Sequence, residues 1–383
     1  MKSNKNDNDL NNSGEEPRRE MQPAFRSATT VSHAQPMFTG SFTGSHLDSK
    51  LPLAVNVGGE QNKATKWFVD QAKPKPIYPL EKPVEIQEGA RNVSARICDS
   101  LRLRSIEAEF NGSQAICKTN DFLTYSIDLY NGKDGHTIVE VMRHKGCGLA
   151  FRREREAVLN AAKGNGGMAP SKLPFIMSIP DDLLQCYEPP TEQEHEDTLS
   201  RAADMLHSSQ RQVQLFALQN LSSITTADKL NPQSAKLMSK LIMRSSFDIR
   251  DIVLSLLDAC IRETDETSEQ IVNSCLTIFS NSMSLLCDEK NLLTVLLNEQ
   301  GGRQFTELMV QKSIKIVKDC KSTHNACLAL QCLCLLLKNS ISARGIVDDE
   351  ARMVVVNAER FGKQRHFKLE KEAQSTLAAL RCQ

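Results

Sequence analysis

The chain has 383 residues, with 47 Lys+Arg against 47 Asp+Glu and 40% hydrophobic residues. That length allows two domains of about 100–200 residues plus unfolded sequence, and the balanced charge argues against a nucleic-acid binder, which carries a basic surplus. No run of about 18 uncharged apolar residues occurs, so no transmembrane helix is expected, and the Asn/Asp/Lys-rich Met1–Gly14 lacks the apolar core of a signal peptide.

Twelve Cys are present, none in a CxxC pair. Cys275, Cys287, Cys327, Cys332 and Cys334 sit on apolar stretches, as reduced Cys does when it serves as a small hydrophobe. A cytoplasmic placement is therefore expected.

Residues 1–90 read as a disordered tail. Pro17, Pro23, Pro36, Pro52, Pro74, Pro76, Pro79 and Pro83 punctuate it, and Phe38–Ser41 is repeated directly as Phe42–Ser45. Few branched apolar residues are there to offset ordering entropy. The Ser27–Ser32 cluster beside Arg26 offers a phosphorylation site, and the only Trp, Trp67, offers a docking point.

Residues 91–163 read as a small α+β sandwich: helix, four antiparallel strands, helix. Val93, Ile97 and Leu101 recur at i, i+4, i+8 on one helix face. Alternation then marks strands around Ile106–Phe110, Ala115–Lys118, Leu123–Leu129 and Thr137–Arg143. Asn111-Gly112 and Asn131–Gly135 turn the chain between them. A second helix, Leu149–Lys163, carries Arg152, Arg153 and Arg155 on its polar face. Residues 164–190 read as a linker, opened by Gly164–Gly167 and closed by Pro189-Pro190, with Ile176–Leu184 apolar enough to pack.

Residues 191–383 read as helical throughout. The spacing predicts helices over 192–208, 210–224, 232–245, 248–262, 267–287, 289–299, 303–320, 323–340, 348–360 and 367–382. Breaks fall before Asn231-Pro232 and at Gly301-Gly302. Leucine stripes on short, successive helices suit a stacked solenoid.

Two resemblances follow. Gln212–Ile224 (QVQLFALQNLSSI) resembles the third helix of an armadillo repeat, with Asn220 at the family's asparagine position. Cys275–Leu286 gives a second copy with Asn281, Ala326–Leu337 a third with Cys332 in that place, and Ala373–Arg381 begins a fourth. Spacings of about 61, 51 and 45 residues exceed the armadillo period of about 42, so the copies are divergent and HEAT-like pairs remain an alternative. The resemblance implies an all-α armadillo/HEAT-like solenoid that binds a protein or peptide. Asn220 and Asn281 would then line a peptide groove, because an amide offers both donor and acceptor. The groove tryptophans of that family are absent. Residues 91–163 resemble the kinase-associated C-terminal domain, through the element order and Ile138–Arg155 (IVEVMRHKGCGLAFRRER). That resemblance implies contact with acidic phospholipid and a peripheral place at a membrane, with Arg143, Lys145, Arg152, Arg153 and Arg155 as the lipid- or anion-binding residues. Five or six such cations at about 1 kcal/mol each supply only reversible binding. Interleaved Glu154 and Glu156 also permit a plain solvated face.

Catalytic patterns are missing: no Gly-rich phosphate loop, kinase signature or nucleophile elbow occurs. His144 and Cys147 have metal-like spacing without a second pair, so no metal or other cofactor is expected. The expectation is a non-catalytic adaptor. The alternative is a scaffold or regulatory subunit of a kinase or other enzyme complex without a membrane role.

Overall fold

The computed structural model describes residues 67–77, 80, 82–165, 191–226, 232–287 and 291–381. The Phe-Thr-Gly-Ser repeat, the Ser27–Ser32 cluster and the Ile176–Leu184 stretch lie outside the described residues. All described residues belong to one compact unit, Leu51–Gln383.

The first module is a five-stranded antiparallel sheet with two helices. Its elements are β1 (Val84–Ile86), α1 (Ala90–Leu103), β2 (Glu107–Asn111), β3 (Gln114–Lys118), β4 (Thr124–Asn131), β5 (Thr137–Lys145) and α2 (Gly148–Ala162). The strand order is β1-β5-β4-β3-β2. Val93, Ile97 and Leu101 of α1 point into the core with Val158 and Leu159 of α2, against Ala115, Tyr125, Ile127 and Val139 of the sheet. The predicted period-2 alternation is what lets one face of each strand reach that core. Gly146 ends β5 at φ +103, and a Cβ there would come within 2.7 Å of the Leu123 backbone, so only glycine fits.

Two features differ from the sequence reading. A fifth strand, β1, pairs Val84–Ile86 with Thr137–Val139, from residues assigned to the tail. The strap Trp67–Lys73 also belongs to this module. Trp67 is 2% exposed, stacks on Phe110 at 5.3 Å and donates its Nε1–H to the Gly112 carbonyl at 2.8 Å. Further on, Lys73 bonds the backbone of Leu129 and Asn131, where β4 outruns β3, and its ammonium pairs with Asp128 at 2.9 Å. Pro-rich flanks hid both pieces, because neither is long enough to show a period.

The second module is helical. Four hairpins follow one another: α3 (Glu192–Leu206) with α4 (Arg211–Ile224), α6 (Ile249–Ile261) with α7 (Glu266–Cys287), α9 (Gln300–Asp319) with α10 (Thr323–Asn339), and α12 (Asp349–Arg365) with α13 (Phe367–Arg381). Short helices α5 (Pro232–Met243), α8 (Leu292–Asn298) and α11 (Ile341–Ile346) precede the last three hairpins. Helices α4, α7, α10 and α13 stand side by side in that order, and so do α3, α6, α9 and α12. The result is two rows of helices with one apolar core between them. Side chains bond across the first row in register. Gln212 reaches Thr267, Asn281 reaches Thr226, Asn273 reaches Asn325, and Thr376 reaches the Leu330 carbonyl. The helices of that row are therefore parallel.

The break expected at Gly301-Gly302 falls at Glu299, between α8 and α9, and both glycines lie in the first turn of α9. Gly302 is there for closeness, since a Cβ would fall 1.9 Å from the Leu296 carbonyl oxygen of α8. The short helix α11 had no predicted counterpart.

Candidate functional site

The two modules meet where the sheet module lies against the N-terminal ends of α7, α10 and α13. Those ends carry unpaired backbone N–H groups and the positive end of the helix dipole, so acidic groups gather there. Glu266 and Glu269 occupy the first turn of α7, and Glu370 that of α13. Cations of the sheet module answer them. Lys118 pairs with Glu269 at 2.5 Å, Lys145 pairs with Glu266, and Arg102 pairs with Glu370 at 3.6 Å. In the reverse sense, the Glu107 carboxylate accepts from Thr323 Oγ1 at 3.0 Å, at the start of α10. Burial pushes the Glu107 carboxyl above its ordinary value, and the Thr323 bond offsets part of that. The Ser105 hydroxyl oxygen accepts from the Lys368 backbone N–H at 2.8 Å. Between these contacts His324 and His366 meet edge to face at 5.2 Å, and His324 Nε2 lies 3.2 Å from the Lys118 carbonyl oxygen.

This junction takes up several of the basic residues. Lys145 is one of its cations rather than a member of a free patch. Arg143 is exposed and donates to the Gly146 carbonyl at 3.0 Å. Half-buried Arg155 donates to the Lys82 carbonyl at 2.6 Å. Arg104 grips Glu154 through two bonds of 3.0 and 2.6 Å, and Arg96 pairs with Glu88 at 2.7 Å. Arg152 and Arg153 are exposed and make no ion pair among the described residues. One turn before them stands Leu149, 68% exposed, which the sequence reading placed in the helix but not in the site. Cys147 caps this end of α2, and the N–H groups of Ala150 and Leu149 hold its thiol below the ordinary range. Among the described residues no group of three His, Cys, Asp or Glu could hold a metal ion.

On the helical module Asn220 is exposed on α4 and its side chain makes no hydrogen bond among the described residues. Asn281 is half-buried and tied to Thr226 at 3.2 Å. The Gln212–Thr267 and Thr226–Asn281 pairs are both 55 positions apart. Asn220 thus stands level with Cys275, and Asn281 lies about six residues, roughly 9 Å, further along the row. The two asparagines belong to neighbouring parallel helices but do not form one rung. Phe216, one turn before Asn220 and 56% exposed, is the side chain that the sequence reading missed; its signal was a large aromatic on the polar side of the stripe Leu215, Leu218, Leu221.

No protein-family description, curated protein or solved structure matches the chain significantly.

Proposed function

We propose that the chain is a non-catalytic adaptor whose helical module, an armadillo- or HEAT-like stack, binds a protein or peptide on the face carrying Phe216 and Asn220. The observation that carries this reading is the pair itself. A large aromatic side chain stands in solvent one turn from an amide with no bond among the described residues. Aromatic side chains are enriched in the cores of protein interfaces, and a free amide can hold a partner's backbone through both donor and acceptor. The three-helix unit, a short helix followed by a hairpin, supports the armadillo-like reading of the stack. A photo-crosslinking side chain placed at Phe216 in the full chain should give a discrete adduct in native extract, and the same group at exposed Met353 should not. Equal adducts at both positions would remove Phe216 from any binding face.

Leu149 favours a second contact, between the sheet module and acidic phospholipid. An apolar tip flanked by two unpaired guanidinium groups can enter the headgroup boundary while the charges stay with the phosphates. Reversing Arg152 and Arg153 to Glu should weaken sedimentation of the full chain with phosphatidylserine vesicles by at least about thirtyfold, from roughly 1 kcal/mol per cation. Unchanged sedimentation would end the lipid reading. The module would then be a protein-docking piece, as in a scaffold or regulatory subunit of an enzyme complex.

A further inference from the structure

The groove between α6 and α9 lies on the other row of helices and has no part in either reading above. Arg250, Leu254 and Asp258 recur at i, i+4, i+8 along α6, and Gly301, Phe305, Leu308 and Lys312 form the matching stripe of α9. The two stripes face each other across a cleft of about 400 Å³. Such a volume falls in the range of about 300–1,000 Å³ typical of small-ligand sites.

Its two ends differ. At one end Arg250 is only 8% exposed. Its Nη1 donates to the Met243 carbonyl at 3.0 Å and its Nε to Asp251 at 3.0 Å, and the guanidinium lies over the Phe305 ring at 5.6 Å. A guanidinium has five N–H donors, and those on Nη2 have no protein acceptor among the described residues. Gly301 stands over that nitrogen, and a Cβ there would sit 3.2 Å from it. The missing side chain opens the buried cation to the cleft. Its one carboxylate partner, Asp251, is held through a single bond and is itself mostly exposed. A buried charge so thinly compensated favours a further anion. About 12 Å along α6, eight residues on, Lys312 closes on Asp258, whose other oxygen lies 3.9 Å from Arg262, so the cation at this end already has its carboxylate. Leu254, Phe305 and Leu308 line the stretch between.

We propose that this groove binds a monocarboxylate with a short apolar body. The carboxylate accepts from Arg250 Nη2, and the chain runs over Leu254, Phe305 and Leu308 toward the Lys312–Asp258 pair. Two sources present that chemistry: a free medium-chain acid, or the C-terminal carboxylate of a peptide ending in an apolar residue.

Methyl NMR of the full chain, followed at Leu254 and Leu308, tests it with four probes. These are octanoate, octanamide, a short peptide ending in leucine with a free carboxylate, and the same peptide amidated. Octanoate or the free-acid peptide should shift both residues saturably, and the tighter of the two identifies the source. The neutral counterpart should bind about tenfold more weakly, which is the loss of one charge-assisted hydrogen bond. Arg250→Lys should weaken binding similarly. Arg250 also holds the end of α5, so Gly301→Ala serves as the second variant: alanine suits a helix, yet its methyl crowds Nη2. It should lower the affinity while leaving the melting temperature unchanged or higher. The proposal is overturned if neither acid shifts those methyls at millimolar concentration, if acid and amide bind alike, or if both variants bind octanoate and the peptide as the parent does.

Discussion

Replacing Trp67 by Ala is expected to cost about 3–5 kcal/mol, the usual range for truncating a buried aromatic side chain. The indole fills the space beside Phe110, its N–H satisfies the Gly112 carbonyl, and its own carbonyl accepts from Ser94 Oγ at 2.9 Å. Without it the strap loses its anchor, and Val69 and Ala72 lose the packing that buries them. Trp67→Phe keeps the stacking and gives up chiefly the N–H bond, so about 1 kcal/mol should go. Urea unfolding followed by circular dichroism measures both, since fluorescence would lose its only Trp. An alanine variant within 1 kcal/mol of the parent would show that the strap lies outside the cooperative fold.

Acid should loosen the junction between the modules, and His366 is expected to be the main cause. Burial, helped by the nearby charges of His324 and Lys368, drives its pKa down to about 3. Burial also lowers that of His324. In the unfolded chain each histidine takes up a proton near 6.5. Between 6.5 and about 3 the unfolded chain therefore binds more protons, so stability is full above 6.5 and falls as the pH falls. For His366 alone the loss is about 2 kcal/mol by pH 5 and approaches 5 kcal/mol near pH 3. Glu107 works in the opposite sense. Its raised value means that the folded protein takes up a proton first, which returns some stability as the solution is acidified. His366→Asn keeps an acceptor for the Leu369 N–H, which His366 Nδ1 holds at 3.2 Å, and removes the titration. Urea midpoints at pH 7.5, 6 and 5 should fall less steeply for this variant, by about one proton's worth of slope. Parallel pH profiles for parent and variant would place the acid sensitivity elsewhere.

Local periodicity carried most of the fold in the sequence. The i, i+4, i+8 spacing of Val93, Ile97 and Leu101 and the alternation of Leu123–Leu129 each announce an element that buries one face. Leucine stripes placed most of the helix boundaries within a few residues. What local pattern could not carry lies in long-range contact. Val84–Ile86 is a strand only because β5 offers it an edge. Gly302 reads as a breaker, yet it sits inside a helix because α8 passes too close for a side chain. Lys145 looks like one cation of a cluster until Glu266, far along the chain, takes it. The armadillo resemblance put Asn220 and Asn281 on a shared groove, and only the bonded register of α4 and α7 shows that they are offset along it. Arg250 drew no notice, because a single arginine in an amphipathic stripe carries no sign of the glycine that will face it.

The junction also bears on the order in which the molecule is assembled. Arg102 meets the Lys363 carbonyl and Ser105 meets the Lys368 N–H across separations of 261 and 263 residues. During synthesis the sheet module emerges well before α12 and α13 exist, and domains commonly fold as they leave the ribosome. Closing so long a loop costs only modestly more than closing a shorter one. The sheet module therefore meets its partners in turn: Lys118 gains Glu269 with α7, Glu107 gains Thr323 with α10, and Ser105 stays in water until the last hairpin completes the seam. A ribosome stalled before α13 would hold a nascent chain with its first module built and its seam still lacking the Ser105–Lys368 and Arg102–Glu370 contacts.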